Sequence, residues 1–332
     1  MRQRGIVSNG MKIPELDPSR ATTRPLASLT RKVARGQFAR PVGAGATVSE
    51  FLDALPDVLA AHDLRELARR IATARRAGRM VLLQMGAHPL KVGLGPVICE
   101  LIRDGIITGF ATNGAGMIHD FELAYAGRTS EEVATGLDEG TFGMVEETGA
   151  LLNEFAAIAQ AEEAGYGLVV GREILKRHFK FAQSSVFATA YEKGVPATIH
   201  VAIGGDIVHM HPAADGAAIG AATMADFRRF AAVVATLSRG VVINLGSAVL
   251  MPEVFLKALN LARNLGHKVT GFTAADLDFI RQYRARMNVV ERPTRDSGRG
   301  IMLTGHHELM FPLLAAAIRE ELARGRDTRR PK

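Results

Sequence analysis

Cysteine, tryptophan and long apolar runs are what this 332-residue chain has little of. Its one cysteine, Cys99, excludes an internal disulfide framework and is typical of the reducing cytoplasm, where we expect the protein to be. No apolar run reaches the roughly 18–20 residues that span a bilayer. The basic start, Met1–Arg4, is not followed by an apolar segment, so we expect no secretory signal. Cys99 itself lies in an apolar helical pattern, which predicts a core position.

The absence of tryptophan also bears on the formal net charge of +7. Proteins that bind single-stranded nucleic acid combine a basic groove with aromatic side chains that stack on bases. Here much of the excess positive charge lies at the two ends, residues 1–40 and 324–332, with no interleaved aromatic pattern. Basic ends of this kind are usually solvated extensions. We therefore expect a small-molecule partner, and neither nucleic acid nor a membrane.

Composition and periodicity divide the chain into three parts. Residues 1–45 are rich in proline, glycine, arginine and threonine without a sustained period, which predicts a flexible or wrapping N-terminal arm. Residues 46–325 form the predicted α/β domain, and residues 326–332 form a basic tail. The domain begins with helical patterns from Thr47, with Ser49 as a candidate N-cap, and over residues 64–77.

From residue 80 onward, short apolar runs alternate with helical patterns. This alternation predicts a Rossmann-like, doubly wound and mainly parallel sheet with helices on both faces, preceded by the N-terminal helical arm. The predicted strands are Met80–Gln84, Ile106–Ala111, Gly167–Val170, Ala197–Ala202, Val241–Leu245 and Val269–Phe272, with Ile301–Leu303 at an edge. The predicted helices are Gly95–Arg103, Met117–Ala126, Gly143–Ala164, Ser184–Lys193, Met224–Leu237, Pro252–Leu265 and Glu308–Leu322.

The most informative segment runs from the predicted strand Ile106–Ala111 through a glycine-rich turn into a helix. In α/β proteins, such a corner presents backbone N–H groups and a helix N-terminus to a ligand. We expect the turn to bind a cofactor and the first helical turn to supply catalytic groups. The cofactor-binding candidates are Thr112, Asn113 and Gly116, and the catalytic candidates are His119 and Asp120.

A second candidate loop follows the strand Met80–Gln84. Gly86 allows a ligand to approach the backbone closely, and Lys91 suits an anion such as a phosphate. Gly86 and His88 are therefore cofactor-binding candidates, and Lys91 is a catalytic candidate. The alternative is a loop whose glycines serve tight packing only, with His88 exposed.

A third candidate site follows the strand Ala197–Ala202. Asp206, His209 and His211 lie within six positions and suit general acid–base work or metal binding. A His-x-His pair on an extended segment directs both rings to one side, as metal sites do. The alternative is a metal-free polar cluster lining a pocket. His200, inside the strand, is expected to be a core histidine.

The remaining strand ends supply small and hydroxylated residues where a nucleotide would lie. The cofactor-binding candidates there are Gly246, Ser247, Thr273, Ala274 and Asp276. Near the C-terminus, His306 and His307 precede the last helix. Adjacent side chains point apart, so at most one of the two is expected to face a pocket, and both alternatively flank an edge strand.

Taken together, residues 80–320 resemble deoxyhypusine synthase and its bacterial homologues. The resemblance rests on Lys91–Gly116 with its turn TNGAG, on Gly194–Ala197, on Gly240–Gly246 and on Met310–Ala315. It implies a Rossmann-like fold, a homotetramer built from tight dimers, and NAD bound at subunit interfaces. It also implies a transferase that oxidises spermidine with NAD and moves an aminobutyl group through an imine on a lysine.

The departures from that family fall on its chemistry. The imine lysine of the family lies in a Trp-Gly-Lys segment, whereas here no lysine occurs between Lys268 and Lys332. Arginine cannot replace it, because a guanidinium stays protonated. The family's acidic pair after the glycine turn is replaced by Ile118 and His119. Its Thr-Ser-Asn loop becomes residues 86–88, and the aspartate of its substrate loop becomes Gly204, with Asp206 displaced.

We therefore predict an enzyme of altered chemistry on this scaffold, acting on a small molecule in a pocket lined by histidine and aspartate side chains. NAD is retained as the cofactor in this hypothesis, and Lys91 is a candidate for a relocated imine lysine. Two alternatives stay open at this point. One is a catalytically silent paralogue that binds a ligand or regulates a partner, and the other is a metal-dependent enzyme that uses His209 and His211.

Overall fold

Short strands rich in valine, isoleucine and leucine form the centre of the molecule, as expected for a parallel sheet buried on both faces. In a computed structural model, residues 6–8 and 11–327 are described, with side chains from residue 14 to residue 324. The chain forms two compact units, Met1–Phe38 and Ala39–Lys332. In the first, β1 (Ile6–Ser8) pairs with β2 (Met11–Ile13) in an antiparallel register, and three 3-10 turns follow.

The second unit contains a six-stranded sheet in which every pairing is parallel. Its strands lie in the order β5-β4-β3-β6-β7-β8, so chain order reverses between β3 and β6. This is the Rossmann strand order, and it confirms the predicted fold class. The strands are β3 (Val81–Met85), β4 (Gly109–Asn113), β5 (Ala197–His200), β6 (Val241–Leu245), β7 (Thr273–Asp278) and β8 (Arg299–Thr304).

Helices cover both faces of the sheet and bury an apolar core on each side. Alternate residues of β3 show the two cores: Val81 and Leu83 belong to one apolar cluster, and Leu82 belongs to the other. The helices within the described residues are α1 (Val48–Ala54), α2 (Leu59–Arg76), α3 (His88–Lys91), α4 (Gly95–Arg103), α5 (Gly114–Ala126), α6 (Val133–Glu139), α7 (Glu146–Ala161), α8 (Tyr166–Lys176), α9 (Val186–Glu192), α10 (Gly216–Ala235), α11 (Leu250–Asn264), α12 (Arg292–Thr294) and α13 (His307–Asp327). None of those described is long and apolar enough to cross a bilayer.

The predicted helical arm is present as α1 and α2, although the start of α1 differs in detail. Thr47, not Ser49, is the N-cap, because its hydroxyl accepts the Glu50 N–H while the Glu50 carboxylate accepts the Thr47 N–H. Cys99 is fully buried in the core, as predicted. Helix α13 continues to Asp327, and the rest of the predicted basic tail, residues 328–332, lies outside the described residues.

Two strand predictions were wrong. Residues 167–170 lie inside α8, because a four-residue apolar run fits a buried helix as well as a strand. The strand predicted over Val269–Phe272 lies four positions later, as β7 (Thr273–Asp278). Small and acidic residues fill β7, so its sequence lacks the apolar signal that the preceding segment carries. This shift changes which residues reach the carboxyl edge of the sheet.

Candidate functional site

The loops after β3 and β6 meet where the strand order reverses. The Gly86 N–H donates to the carbonyl of Leu245 at 3.1 Å. A Cβ on Gly86 would lie 2.4 Å from the carbonyl oxygen of Gly246, so only glycine allows this approach. In open α/β sheets, ligands bind in the crevice outside the carboxyl ends of the strands at this reversal. We define the switch-point site as the region around these two loops, which contain Gly86, His88, Gly246 and Ser247.

A histidine pair lies at the switch-point site. His88 Nδ1 is 2.9 Å from His307 Nδ1, and His307 Nε2 is 3.6 Å from Asp278 Oδ1. His307 opens α13 and is 1% exposed, while Asp278 closes β7. Gly246 adopts φ +62°, and a Cβ there would lie 2.4 Å from the His307 ring. The three side chains therefore form a row that runs from the crevice into the protein interior.

The surroundings of this pair keep His88 neutral. Burial lowers the pKa of His88, and the neighbouring His307 lowers it further. The Phe279 ring packs against both imidazoles, with centroids 5.5 Å from each. Asp278 Oδ1 accepts the backbone N–H of Phe279 at 2.8 Å. A neutral imidazole in a half-buried position is the form that accepts a proton in general base catalysis.

Beneath the histidine pair, polar side chains cross three neighbouring strands. Gln84 donates to Asn244 at 3.1 Å, and Asn244 donates to Asp276 at 2.8 Å and to the Ser247 carbonyl at 2.9 Å. All four residues are buried, and burial raises the pKa of Asp276 to about 6. Gln84 Oε1 has no hydrogen-bond partner among the described residues. Buried polar atoms are usually paired, so this row suits contact with a polar ligand or water.

The glycine turn after β4 is closed rather than open. Asn113 caps α5 by accepting the Gly116 N–H at 2.9 Å. The carboxylate of Asp206, which is 8% exposed, lies against the start of the helix, and a Cβ on Gly114 would be 2.0 Å from its Oδ2. A Cβ on Gly116 would likewise meet the Thr112 hydroxyl. The anion at this helix N-terminus is therefore the protein's own, and Asp206 would repel a phosphate there.

Asp120 turns away from the crevice. Its carboxylate accepts the Ser185 hydroxyl at 2.5 Å and the backbone N–H groups of Val186 and Phe187 at 2.7 and 3.3 Å. It thus fixes the start of α9 from the neighbouring α5. Burial raises the pKa of Asp120 to about 6, with the three hydrogen bonds opposing that rise. The geometry gives Asp120 a structural contact where the sequence suggested a catalytic one.

His119 and Lys91 lie near each other on the other side of the β3 loop. His119 Nδ1 is 2.6 Å from the Thr129 hydroxyl, which donates to Glu122 at 2.5 Å. Burial lowers the pKa of His119 to about 4, and the charge of Lys91 lowers it further. The same charge lowers the pKa of His88, so the exposed Lys91 ammonium acts on both histidines. Their predicted catalytic roles stay predictions.

The His-x-His segment is not extended, contrary to the prediction. Residues Ile207–Met210 form a 3-10 turn, in which His209 Nδ1 accepts the Gly204 and Asp206 N–H groups. His211 packs its ring against Gly149 and accepts the Ala213 N–H. Among the described residues, no group of three or more histidine, cysteine, aspartate or glutamate side chains is arranged to hold a metal.

The corrected position of β7 also moves two candidates. Thr273 and Ala274 are the first two residues of β7, so they lie at the amino edge of the sheet, away from the switch-point site. Gly86, His88, Gly246, Ser247 and Asp276 do come together there. Sequence reasoning missed Gln84, Asn244 and Asp278 as site residues. Gln84 and Asn244 had a signal in the sequence, since each is a polar residue near the end of an otherwise apolar strand, whereas Asp278 had none.

Several solved structures have a similar fold. The sequence matches no protein-family model and no curated protein. AgrE, solved as a ternary complex with ornithine and NAD+, is 14% identical with a TM-score of 0.50, over 82% of this chain and 34% of AgrE. A "conserved putative LOR/SDH protein" from Methanococcus maripaludis S2 is 15% identical with a TM-score of 0.50, over 81% of this chain and 71% of that protein.

A "putative deoxyhypusine synthase" from Entamoeba histolytica is 12% identical with a TM-score of 0.49, over 82% of this chain and 93% of that protein. At these identities, the likeness shows the fold alone. The chain has a Rossmann-like fold. It spans about a third of the length of AgrE, with 34% of that protein covered.

Proposed function

We propose that this chain is an enzyme that transfers a proton to or from a small molecule at the switch-point site, with NAD as its cofactor. The observation that carries the proposal is the row formed by His88, His307 and Asp278. Two imidazoles in direct contact, the inner one facing a carboxylate, are arranged as a general base with a positioning partner. Structural packing alone does not need a half-buried, neutral imidazole at the mouth of this crevice.

The contacts favour one arrangement of protons on the two imidazoles. The Asp278 carboxylate faces His307 Nε2, which favours a proton on that nitrogen. His307 Nδ1 then accepts, and His88 Nδ1, at 2.9 Å, donates. This assignment leaves the lone pair of His88 Nε2 free for a substrate. After His88 takes a proton, the charge of the nearby Asp278 carboxylate favours the resulting cation.

The switch-point site fits the polar groups of a dinucleotide better than the glycine turn of β4 does. Gly86 and Gly246 bring backbone close to the crevice, Lys91 supplies a positive charge beside the loop, and the Gln84 Oε1 atom is buried without a partner. The start of α5, in contrast, is filled by Asp206. We therefore assign the cofactor to the β3 and β6 loops. When bound, NAD supplies a hydride acceptor or donor.

The fold neighbour AgrE suggests which substrate to test first. AgrE was solved with ornithine and NAD+, and the switch-point site here contains two buried aspartates, Asp276 and Asp278, that suit a cationic amine. We propose a small amine or amino acid as the substrate class. The same acidic groups would disfavour an anionic substrate beside them.

The test is a turnover assay with purified protein, NAD+ and a panel of amines that begins with ornithine and spermidine. Absorbance at the NADH band reports net oxidation, and mass spectrometry of products reports reactions that recycle the cofactor. Calorimetry with NAD+ measures cofactor binding separately. We expect His88→Gln to lose at least about a hundredfold in turnover, the lower bound for a general base, while NAD+ binding changes little.

His267→Gln is the matched control, because His267 is an exposed histidine on the loop after α11. We expect it to keep full turnover. NAD+ binding with no turnover on any amine would favour the silent ligand-binding paralogue. Equal turnover in the His88→Gln and wild-type proteins would exclude His88 as the base. An adduct at Lys91 after borohydride treatment would instead indicate an imine mechanism.

A further inference from the structure

A second cavity lies at the amino edge of the sheet, opposite the switch-point site. It measures about 630 Å³ and is formed where α2 crosses the starts of β6 and β7. We define it as the amino-edge groove. It is lined by His62, Glu66, Arg69, Arg70, Thr73, Ala74, Ala77, Arg79, Arg239, Gly240, Val241, Gly271 and Thr273. Its size is that of a small-molecule site.

The groove is strongly basic. Four arginines line it against one carboxylate, that of Glu66. Glu66 is already engaged, since it lies 2.8 Å from the guanidinium of Arg70 and 2.8 Å from that of Arg299. The charges of Arg69, Arg79 and Arg239 therefore have no free carboxylate to face within the groove. Like charges held in one cavity repel, and a bound anion removes that cost.

The arginines of α2 differ in how many contacts their side chains make. Arg65 donates to three backbone carbonyls and to Asp57, and Arg75 donates to the Asp104 carbonyl. Arg69 donates only from Nε to its own helix, which leaves both of its Nη groups available. Among the described residues, the guanidinium groups of Arg79 and Arg239 have no hydrogen-bond or ion-pair partner, although both backbone N–H groups donate to carbonyls.

We propose that the amino-edge groove binds a small phosphorylated molecule through Arg69, Arg79 and Arg239. The planar guanidinium matches the oxygens of a phosphate with paired hydrogen bonds, and three of them suit two or more phosphate charges. The hydroxyls of Thr73 and Thr273 line the same cavity and add donors. A cavity of this size favours a small anion over a nucleic-acid duplex, which needs an extended basic face. The site is independent of the switch-point site.

The experiment is calorimetry of the full chain with pyrophosphate, at low ionic strength. We expect binding in the millimolar range or tighter, weakened about tenfold by Arg79→Gln and by Arg239→Gln, the loss expected for one charge-assisted hydrogen bond. Arg228→Gln is the matched control, since Arg228 is an exposed arginine on α10 outside the groove. His88→Gln is expected to leave this binding unchanged.

Three results would overturn the proposal. One is no binding of pyrophosphate to the wild-type protein under these conditions. Another is an equal loss in Arg228→Gln, which would indicate a general effect of net charge. The third is tighter binding of duplex DNA than of pyrophosphate through the same arginines, which would assign the groove to a nucleic acid.

Discussion

Gly114 and Asp206 provide a stringent test of the closed turn at the start of α5. A Cβ at residue 114 would lie 2.0 Å from Asp206 Oδ2 and 2.4 Å from its Cγ. Non-bonded carbon atoms in contact rest about 3.5–4.0 Å apart, so the buried carboxylate must move. We expect Gly114→Ala to lower the free energy of unfolding by about 1–3 kcal/mol, the usual cost of overpacking.

Asp206→Ala removes the three atoms nearest to the Cβ that Gly114→Ala would add, which are Cγ, Oδ1 and Oδ2 of Asp206. In that background, the second substitution no longer meets the carboxylate and gains up to about 1 kcal/mol of helix propensity. The coupling energy between the two substitutions should therefore be about 1–4 kcal/mol, because Asp206→Ala removes the cost of Gly114→Ala. The four proteins are compared by urea unfolding at pH 7.5, above the Asp206 pKa, which burial raises to about 6.

Gly220→Ala is the matched control for this cycle. Gly220 lies in α10, and a Cβ there would meet no atom within 4 Å. We expect it to be neutral or stabilising in either background. If Gly114→Ala costs the same with and without the Asp206 side chain, then Asp206 does not fill the start of α5. The cofactor-binding role predicted for that turn would then be open again.

Three further predictions follow from buried contacts. Burial raises the pKa of Asp226 from 3.8 to about 7. The folded protein then binds the proton more tightly than the unfolded chain does, so the free energy of unfolding falls by about 1.4 kcal/mol for each unit that the pH rises between these two pKa values. Asp226→Asn should remove this slope in urea unfolding from pH 4.5 to 7. Asp120→Ala should cost about 2–4 kcal/mol by leaving buried N–H groups unpaired; an unchanged midpoint would argue against its structural role. Gly246→Ala should destabilise the fold by at least about 1–3 kcal/mol, since residue 246 adopts a positive φ beside His307; a wild-type melting temperature would contradict that contact.

Strand–helix alternation was sufficient to predict the Rossmann-like fold, because buried parallel strands are apolar and their helices carry a clear period. The alternation did not predict the correct strand where a buried strand is not apolar. Thr273–Asp278 is a buried strand made largely of small and acidic residues, so the apolar segment before it was taken for the strand. The strand prediction for residues 167–170 in α8 was wrong for the opposite reason. This run is apolar, but it is too short to show whether its period is that of a strand or of a helix.

The site was predicted in part. The β3 and β6 loops were identified from their glycines, because strand ends of a parallel sheet meet at one edge. The contact between His88 and His307 spans 219 positions and has no local signal. The sequence also could not show that the turn at Gly114 is closed, because glycine is found both in turns that bind a phosphate and in turns that pack closely against a side chain. Only the position of Asp206 distinguishes these two possibilities.

The most direct test of the central claim is the titration of His88 by NMR of the imidazole nitrogens, in the wild-type protein and in His307→Gln. The coupled pair predicts a His88 pKa below its ordinary value of 6.5, with the proton of the neutral ring on Nδ1. It also predicts that His307→Gln raises that pKa. An ordinary His88 pKa that is the same in both proteins would contradict the account.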